Sequence, residues 1–268
     1  MLNLLRMDLY RLMRSKAFYI CLGFLLTTVF LCYGMLFLVG TPKGQETAPK
    51  IGMGALVETG GDTSILDGMD FIEMIRKSCM DGGAYHLVFG ILTAIFVCTD
   101  FHSGFVKNIM TLHRKRWKYV SSKLLTMGIA DLFYLAVCFG FGAVMNLLFH
   151  HMVPFGEWRD ILFYLSWAWL INMAFAALII MLCVFTKNMA AGVSMAVVLS
   201  CGLVVMPLAG IAGLFNADGW FPYTLYYNMS SGPSFYSMPA DLKVYAVGFV
   251  FIIVYTIASV VFVTKQDV

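Results

Sequence analysis

Residues 100–123, DFHSGFVKNIMTLHRKRWKYVSSK, decide the fold, because they form a basic polar segment between two long apolar runs. This stretch holds six of the eighteen Lys and Arg residues in the chain. Its first half carries apolar residues at the spacing of one helical face, namely Phe101, Phe105, Ile109 and Leu112. Ser103 can accept a backbone N–H at the start of such a helix. We predict a short amphipathic helix and then a basic cluster, in water between two membrane spans. The alternative is a basic tether that only sets the topology.

The composition places the chain in the membrane. It has 268 residues, of which 60% are hydrophobic and 12% are charged. Soluble domains carry about 25% charged residues, so we predict an all-α membrane protein. The seven cysteines form no CxxC pair and have no histidine at metal-ligand spacing, so neither a disulfide framework nor a zinc site is indicated. We expect no cofactor, metal ion or nucleic acid to bind this chain.

The first 16 residues have the pattern of a helix that lies in the membrane interface. One face carries Leu2, Leu5, Leu9, Leu12 and Met13, and the other carries Asn3, Arg6, Tyr10, Arg11 and Arg14. The apolar face would lie in lipid and the basic face would meet anionic headgroups. The alternative is a charged flank that simply precedes the first span.

Six apolar runs are long enough, or nearly so, to cross a bilayer core of about 30 Å. The predicted spans are residues 17–40, 84–99, 124–149, 161–185, 189–215 and 244–263. In the fifth span, Gly192, Ala196 and Ser200 recur at a four-residue spacing that lets another helix approach closely. Pro207, with glycines around it, should kink or break the second half of that span.

Residues 216–243 are unusual because they contain seven aromatic residues and only three charged ones. A loop exposed to water would be more polar. We therefore predict a re-entrant or interfacial segment before the last span, with aromatic rings at the level of the headgroups.

The charges predict the topology. Lys and Arg number 12 in residues 1–16, 100–123, 186–188 and 264–268, and 6 in the connections on the opposite side. The acidic residues are distributed the other way, with 3 on the first side and 11 on the second. The excess of basic residues predicts that both termini and the 100–123 segment are cytoplasmic.

Asp131 is the acidic residue inside a predicted span, and its burial in lipid would be expensive. It should face the bundle or a wet cavity, or carry a proton. It is either a residue of a substrate path or relay, or the acceptor of an interhelical hydrogen bond, with Asn172 as a candidate partner. We take Asp131 and Asn172 as candidate residues of the translocation path.

The sequence lacks the GxxxxGK[ST] phosphate loop, so the chain cannot by itself be an ATPase of that kind. It also lacks the HExxH and G-x-S-x-G motifs of hydrolytic enzymes. The competing classes are a membrane enzyme that uses Asp131 and loop histidines, and a sensor or scaffold whose cytoplasmic loop docks a signalling partner.

Three segments carry a resemblance to a known family. They are LLRMDLYRLMRSKAFYI at residues 4–20, FHSGFVKNIMTLHRKRWKYVSSKLL at residues 101–125, and FVTKQD at residues 262–267. Their order and spacing resemble the permease subunits of type-2 ABC transporters, over nearly the whole chain. The resemblance implies a single permease domain over residues 1–268, with an N-terminal elbow helix and a coupling helix that inserts into a separate ATPase.

The resemblance also implies the partners and the site. The implied coupling residues are Phe105, Lys107, Asn108, Ile109, Leu112, Arg114 and Arg116. ATP and Mg would bind to the ATPase subunit, and a second permease chain, identical or related, would complete the pathway. The polar loop after the first span is similar to that of permeases for bacitracin or lantibiotic self-protection and export. An acidic outer face would attract a cationic peptide.

Overall fold

The protein is a bundle of membrane-length helices. A computed structural model describes residues 2–51, 69–81, 83–106, 117–149, 151–215, 218–230, 232 and 242–265, and these ranges contain no strand. The helices are α1 (Leu2–Met13), α2 (Lys16–Gly40), α3 (Pro42–Thr47), α4 (Phe71–Ile75), α5 (Ala84–His102), α6 (Trp117–Leu148), α7 (Trp158–Thr186), α8 (Met189–Ser200), α9 (Val205–Leu214), α10 (Leu225–Ser230) and α11 (Leu242–Lys265). Five of them, α2, α5, α6, α7 and α11, are long and apolar enough to span, and the bent pair α8–α9 makes a sixth span if it is counted as one. The all-α membrane fold is therefore confirmed.

Successive long helices run in opposite directions, so the bundle has two distinct ends. The ring pairs Phe18–Phe133 and Phe37–Phe149 show that α2 and α6 run parallel. The pairs Phe163–Tyr245 and Phe185–Phe262 show the same for α7 and α11. One end, which we call the near end, holds α1, the connection from α5 to α6, the turn before α8 and the end of α11. The opposite end, the far end, holds α3, α4 and α10.

The core lies among α5, α6 and α7, whose mutual faces bury large apolar and aromatic side chains. By contrast, α2 and α11 keep large apolar side chains on the outside, such as Phe24 at 56% exposure and Ile253 at 55%. Such apolar surface is expected where a helix faces lipid or another membrane helix.

The connection between α5 and α6 starts and ends at other residues than the sequence predicts. Helix α5 continues to His102, and Ser103 lies at its C-terminal end, not at the start of a new helix. Gly104 then adopts a φ of 67°, a conformation that favours glycine, so Phe101 and Phe105 are separated by this turn. Helix α6 begins at Trp117, well before the predicted residue 124, which places Lys123 inside the helix.

The fifth span is broken, as predicted, but not at the proline. Helices α8 and α9 are bent by 43° across residues 201–204. Gly202 there has a φ of 66°, and a Cβ at this position would collide with the Tyr226 ring. Pro207 lies in the first turn of α9, where its missing N–H has no intrahelical acceptor to lose. The break therefore follows from Gly202 and its tight contact with α10.

Two other predicted segments are partly described. The N-terminal helix forms as α1 and packs on α6. Within residues 216–243, residues 218–230 form a 3-10 turn and α10, and α10 packs against α7 and α11. Most of the remaining residues of that segment lie outside the described ranges.

The small residues of α8 form its buried face, as predicted. Gly192, Ala196 and Ser200 are its buried residues, and they face α5. A Cβ on Gly192 would lie 2.7 Å from Cys183 Sγ and 3.4 Å from Ala94 Cβ. Helix α8 can approach this closely because residue 192 has no side chain.

Gly192→Ala is expected to destabilise the protein by about 1–3 kcal/mol, because the added methyl group forces its neighbours apart. Gly140→Ala is the matched control, since a Cβ there meets nothing within 4 Å and alanine favours a helix. The measurement is the temperature at which each detergent-solubilised variant loses its monodisperse gel-filtration peak. Equal shifts for the two variants would contradict the close approach of α8.

Candidate functional site

The clearest polar site is a group of four charged side chains inside the near end. Asp8 comes from α1, Asp100 from α5 and Lys123 from α6, and all three are fully buried. Arg11 of α1 completes the group with its side chain 31% exposed. We call these four residues the near-end charge cluster. It contains two acidic and two basic side chains, so its formal charge is balanced.

Lys123 lies at the centre of the cluster. Its Nζ atom lies 2.8 Å from Asp8 Oδ1 and 2.6 Å from Asp100 Oδ2. The ammonium group also lies 4.1 Å from the centre of the Phe96 ring, in the geometry of a cation–π contact. One lysine thereby holds together α1, α5 and α6.

Hydroxyl groups complete the surroundings of the two carboxylates. Ser122 donates a hydrogen bond to Asp8 Oδ2 at 2.8 Å, and Tyr119 donates one to Asp100 Oδ2 at 3.4 Å. Buried carboxylates are tolerated when they are paired with a cation and hydrogen-bonded in this way. Loss of one partner of such a group leaves an uncompensated buried charge, which is strongly destabilising.

Arg11 extends the cluster toward the connection between α5 and α6. Its Nη2 atom lies 2.8 Å from Asp100 Oδ1, close enough for an ion pair but without the alignment of a hydrogen bond. Its guanidinium carbon lies 4.3 Å from the centre of the Phe105 ring. Arg11 therefore holds both the end of α5 and the first residues of the connection against α1.

The structure describes one of the seven implied coupling residues. Phe105 is half-buried and packs under Arg11 of its own chain. The other six, Lys107, Asn108, Ile109, Leu112, Arg114 and Arg116, lie outside the described residues. Lys123, which the sequence places in an aqueous basic cluster, is instead buried among acidic side chains.

Asp131 and Asn172 are brought together in the middle of the bundle. Asn172 Nδ2 donates a hydrogen bond to Asp131 Oδ1 at 3.0 Å, and Tyr85 Oη donates one to the same oxygen at 2.7 Å. All three side chains are buried, so the prediction that Asp131 faces the bundle interior is confirmed. The contact is an interhelical hydrogen bond between α5, α6 and α7.

A second charged group lies at the far end, next to α4. Arg76 lies 3.7 Å from Glu73 and 3.8 Å from Asp81, and Lys77 lies 3.2 Å from Glu73. Burial raises the pKa of Asp81, against the opposing effect of the Arg76 charge. These acidic side chains are paired, so they do not form a free anionic surface. Within the described ranges, no group of three or more His, Cys, Asp or Glu residues could hold a metal ion.

The sequence alone did not identify Asp8 or Tyr85 as residues of the two buried sites, although the position of Asp8 in the sequence pattern was informative. Asp8 lies at helical spacing between Leu4 and Leu12, the other buried residues of α1, so a charge on an apolar stripe was visible. Tyr85 left no comparable signal, because a tyrosine near the end of a span is ordinary at a membrane interface.

The bundle of five to six membrane-length helices defines the chain as a polytopic membrane protein. The family model described as ABC-2 family transporter protein matches residues 4–203. The chain therefore belongs to the ABC-2 family of transporter membrane proteins, in which this type of subunit is a permease and not a catalytic enzyme. A search of curated proteins gave no match.

Proposed function

We propose that the chain is the membrane-spanning subunit of an ATP-driven exporter, coupled to a separate ATPase through residues 101–123. Family membership supplies the class of protein. The near-end charge cluster carries the coupling proposal, because it anchors both ends of the connection between α5 and α6. Arg11 holds Phe105 on one side, and Lys123 holds the start of α6 on the other.

This anchoring suits the transmission of a mechanical step. A displacement of residues 107–116 would be transmitted to α1, α5 and α6, because the ion pairs restrict movement of the residues on both sides. The same ten residues contain four basic side chains and no acidic one. They could bind an acidic cleft of the ATPase or anionic headgroups, at about 1 kcal/mol per basic residue for the headgroups.

The charge asymmetry favours a cytoplasmic near end. The near-end connections and termini carry 12 Lys and Arg residues, against 6 in the far-end connections. This asymmetry supports the proposal that both termini and residues 107–116 lie in the cytoplasm of a bacterial cell, where ATP and Mg would bind the partner ATPase. The exposed apolar faces of α2 and α11 leave room for lipid and for a second permease chain, identical or related.

The substrate proposal is a peptide- or antibiotic-like molecule. The far-end connections hold 11 acidic and 6 basic residues, so an acidic excess remains beyond the paired Glu73 and Asp81 and would attract a cationic substrate. Asp131 and Asn172 would join a translocation path only after the helices around them separate, since both are buried in the described conformation.

The test is purification of the tagged chain from its native membrane in mild detergent. We expect an ATP-binding subunit to co-purify and the complex to hydrolyse Mg–ATP. Reconstituted complexes should accumulate a labelled cationic peptide inside inverted vesicles when ATP is added outside. Recovery of a partner without ATPase activity would favour the sensor or scaffold class instead.

A further inference from the structure

The buried contact between Asp131 and Asn172 is incomplete if the carboxyl group is ionised. Asp131 Oδ1 already accepts two hydrogen bonds, from Tyr85 and from Asn172. Asp131 Oδ2 and Asn172 Oδ1 are both buried, and neither accepts a well-aligned hydrogen bond from the described residues, although the His86 ring lies within hydrogen-bonding reach of Asn172. Both atoms are hydrogen-bond acceptors. They belong to two side chains, Asp131 and Asn172, that one hydrogen bond already joins.

A single proton on Asp131 Oδ2 supplies the missing donor. A carboxylic acid and a primary amide each present a donor next to an acceptor. The acid can therefore donate from Oδ2 to Asn172 Oδ1 while Asn172 Nδ2 donates to Asp131 Oδ1. This closes a ring of two hydrogen bonds and satisfies both unmet atoms. Each buried acceptor left unmet would otherwise be destabilising.

The charges around Asp131 also favour the neutral form. The titratable groups near it are Tyr85 and His86 from α5 and Tyr134 and Cys138 from α6. Asn172 is the group that α7 contributes. No Lys or Arg pairs with Asp131 in the described part of the chain. Asp8 and Asp100, by contrast, each have a cation within 2.8 Å.

His86 is the competing position for a proton. It lies beside Asn172, and its Nδ1 atom has no hydrogen-bond partner among the described residues. A protonated His86 would place a cation near an ionised Asp131 and leave the carboxylate unprotonated. The two arrangements differ in the chemical state of one carboxyl group, which can be observed directly.

We infer that Asp131 and Asn172 form a proton-binding site inside the membrane bundle, in which Asp131 is held as a neutral acid by a two-bond pair with the Asn172 amide. The ligand of this site is a proton. The inference depends on the geometry of α5, α6 and α7 and is independent of whether the chain couples to an ATPase.

The test is infrared spectroscopy of the purified protein in lipid at neutral pH, with the carbonyl stretch of a protonated carboxyl as the signal. We expect such a band in the wild type, sensitive to deuterium exchange, and its loss in Asp131→Asn. That variant should fold normally, because asparagine can form the same two-bond pair with Asn172. Glu46→Gln is the control, since it removes an exposed carboxylate and should leave the band unchanged.

A second variant keeps the test decisive if Asp131→Asn folds poorly. Tyr85→Phe removes one hydrogen bond to Asp131 Oδ1 and should shift the same band to higher frequency without abolishing it. Absence of the band in the wild type, or a band that ignores both Asp131→Asn and Tyr85→Phe, would overturn the inference. A carboxylate signal that changes with added sodium would overturn it too, because the ligand would then be a metal cation.

Discussion

Lys123→Met is expected to lower the free energy of unfolding by about 3–5 kcal/mol, because it leaves two buried carboxylates without their shared cation. The lysine Nζ atom lies 2.8 Å from Asp8 and 2.6 Å from Asp100, and none of the three side chains reaches solvent. Methionine keeps the unbranched apolar stem, so the change removes the charge with little loss of packing. The measurement is the denaturation midpoint in detergent, followed by tryptophan fluorescence.

Lys118→Met is the matched control, because Lys118 lies in the same helix and is only half-buried. Its expected effect is within about 0.5 kcal/mol, as for most surface substitutions. The double variant Lys123→Met/Asp8→Asn removes one charge of each sign and leaves Arg11 paired with Asp100. It should regain most of the stability that Lys123→Met loses. If the two single lysine variants behave alike, the buried ion pairs do not hold the near end together.

The near-end charge cluster shows where sequence reasoning stops. Apolar periodicity and charge counts predict the spans, because each depends on residues close together in the chain. The Asp8–Lys123 contact joins residues 115 positions apart, and no local pattern encodes that distance. Lys123 was assigned to an aqueous cluster because basic residues precede it, although burial beside two acidic residues decides its state.

The position of Asp131 and the break in the fifth span were both predictable in part. A carboxylate within an apolar run predicts an interior position, since lipid does not solvate it. The Asp131–Asn172 contact could be predicted, because each residue is a polar residue inside a predicted span. The Tyr85 contact could not, because a tyrosine at the end of a span is ordinary at a membrane interface. In the fifth span the break was predictable from its glycines and proline. Its location was not, because it depends on the Tyr226 ring against Gly202.

Arg11→Ala is expected to weaken binding of the partner ATPase by roughly thirtyfold, equivalent to about 2 kcal/mol. The substitution removes the ion pair with Asp100 at 2.8 Å and the contact with Phe105 at 4.3 Å, so residues 107–116 lose their anchor on α1. Arg14→Ala is the control, because the Arg14 guanidinium hydrogen-bonds Tyr10 of the same helix and is exposed. The measurement is ATPase recovered per tagged chain, together with ATP-dependent transport.

Phe105 can anchor the connection in two ways, and a double variant separates them. If its ring mainly holds the connection on α1, Phe105→Ala removes an interaction that Arg11→Ala already removes, and the double variant should resemble Arg11→Ala alone. If the ring instead inserts into the ATPase, Phe105→Ala alone should abolish recovery, and its effect should add to that of Arg11→Ala.

Ile109→Asp places a charge on the proposed apolar face of the coupling segment. If Arg11→Ala, Phe105→Ala and Ile109→Asp all leave ATPase recovery and transport at wild-type levels, the connection is only a topological tether and the coupling proposal is wrong.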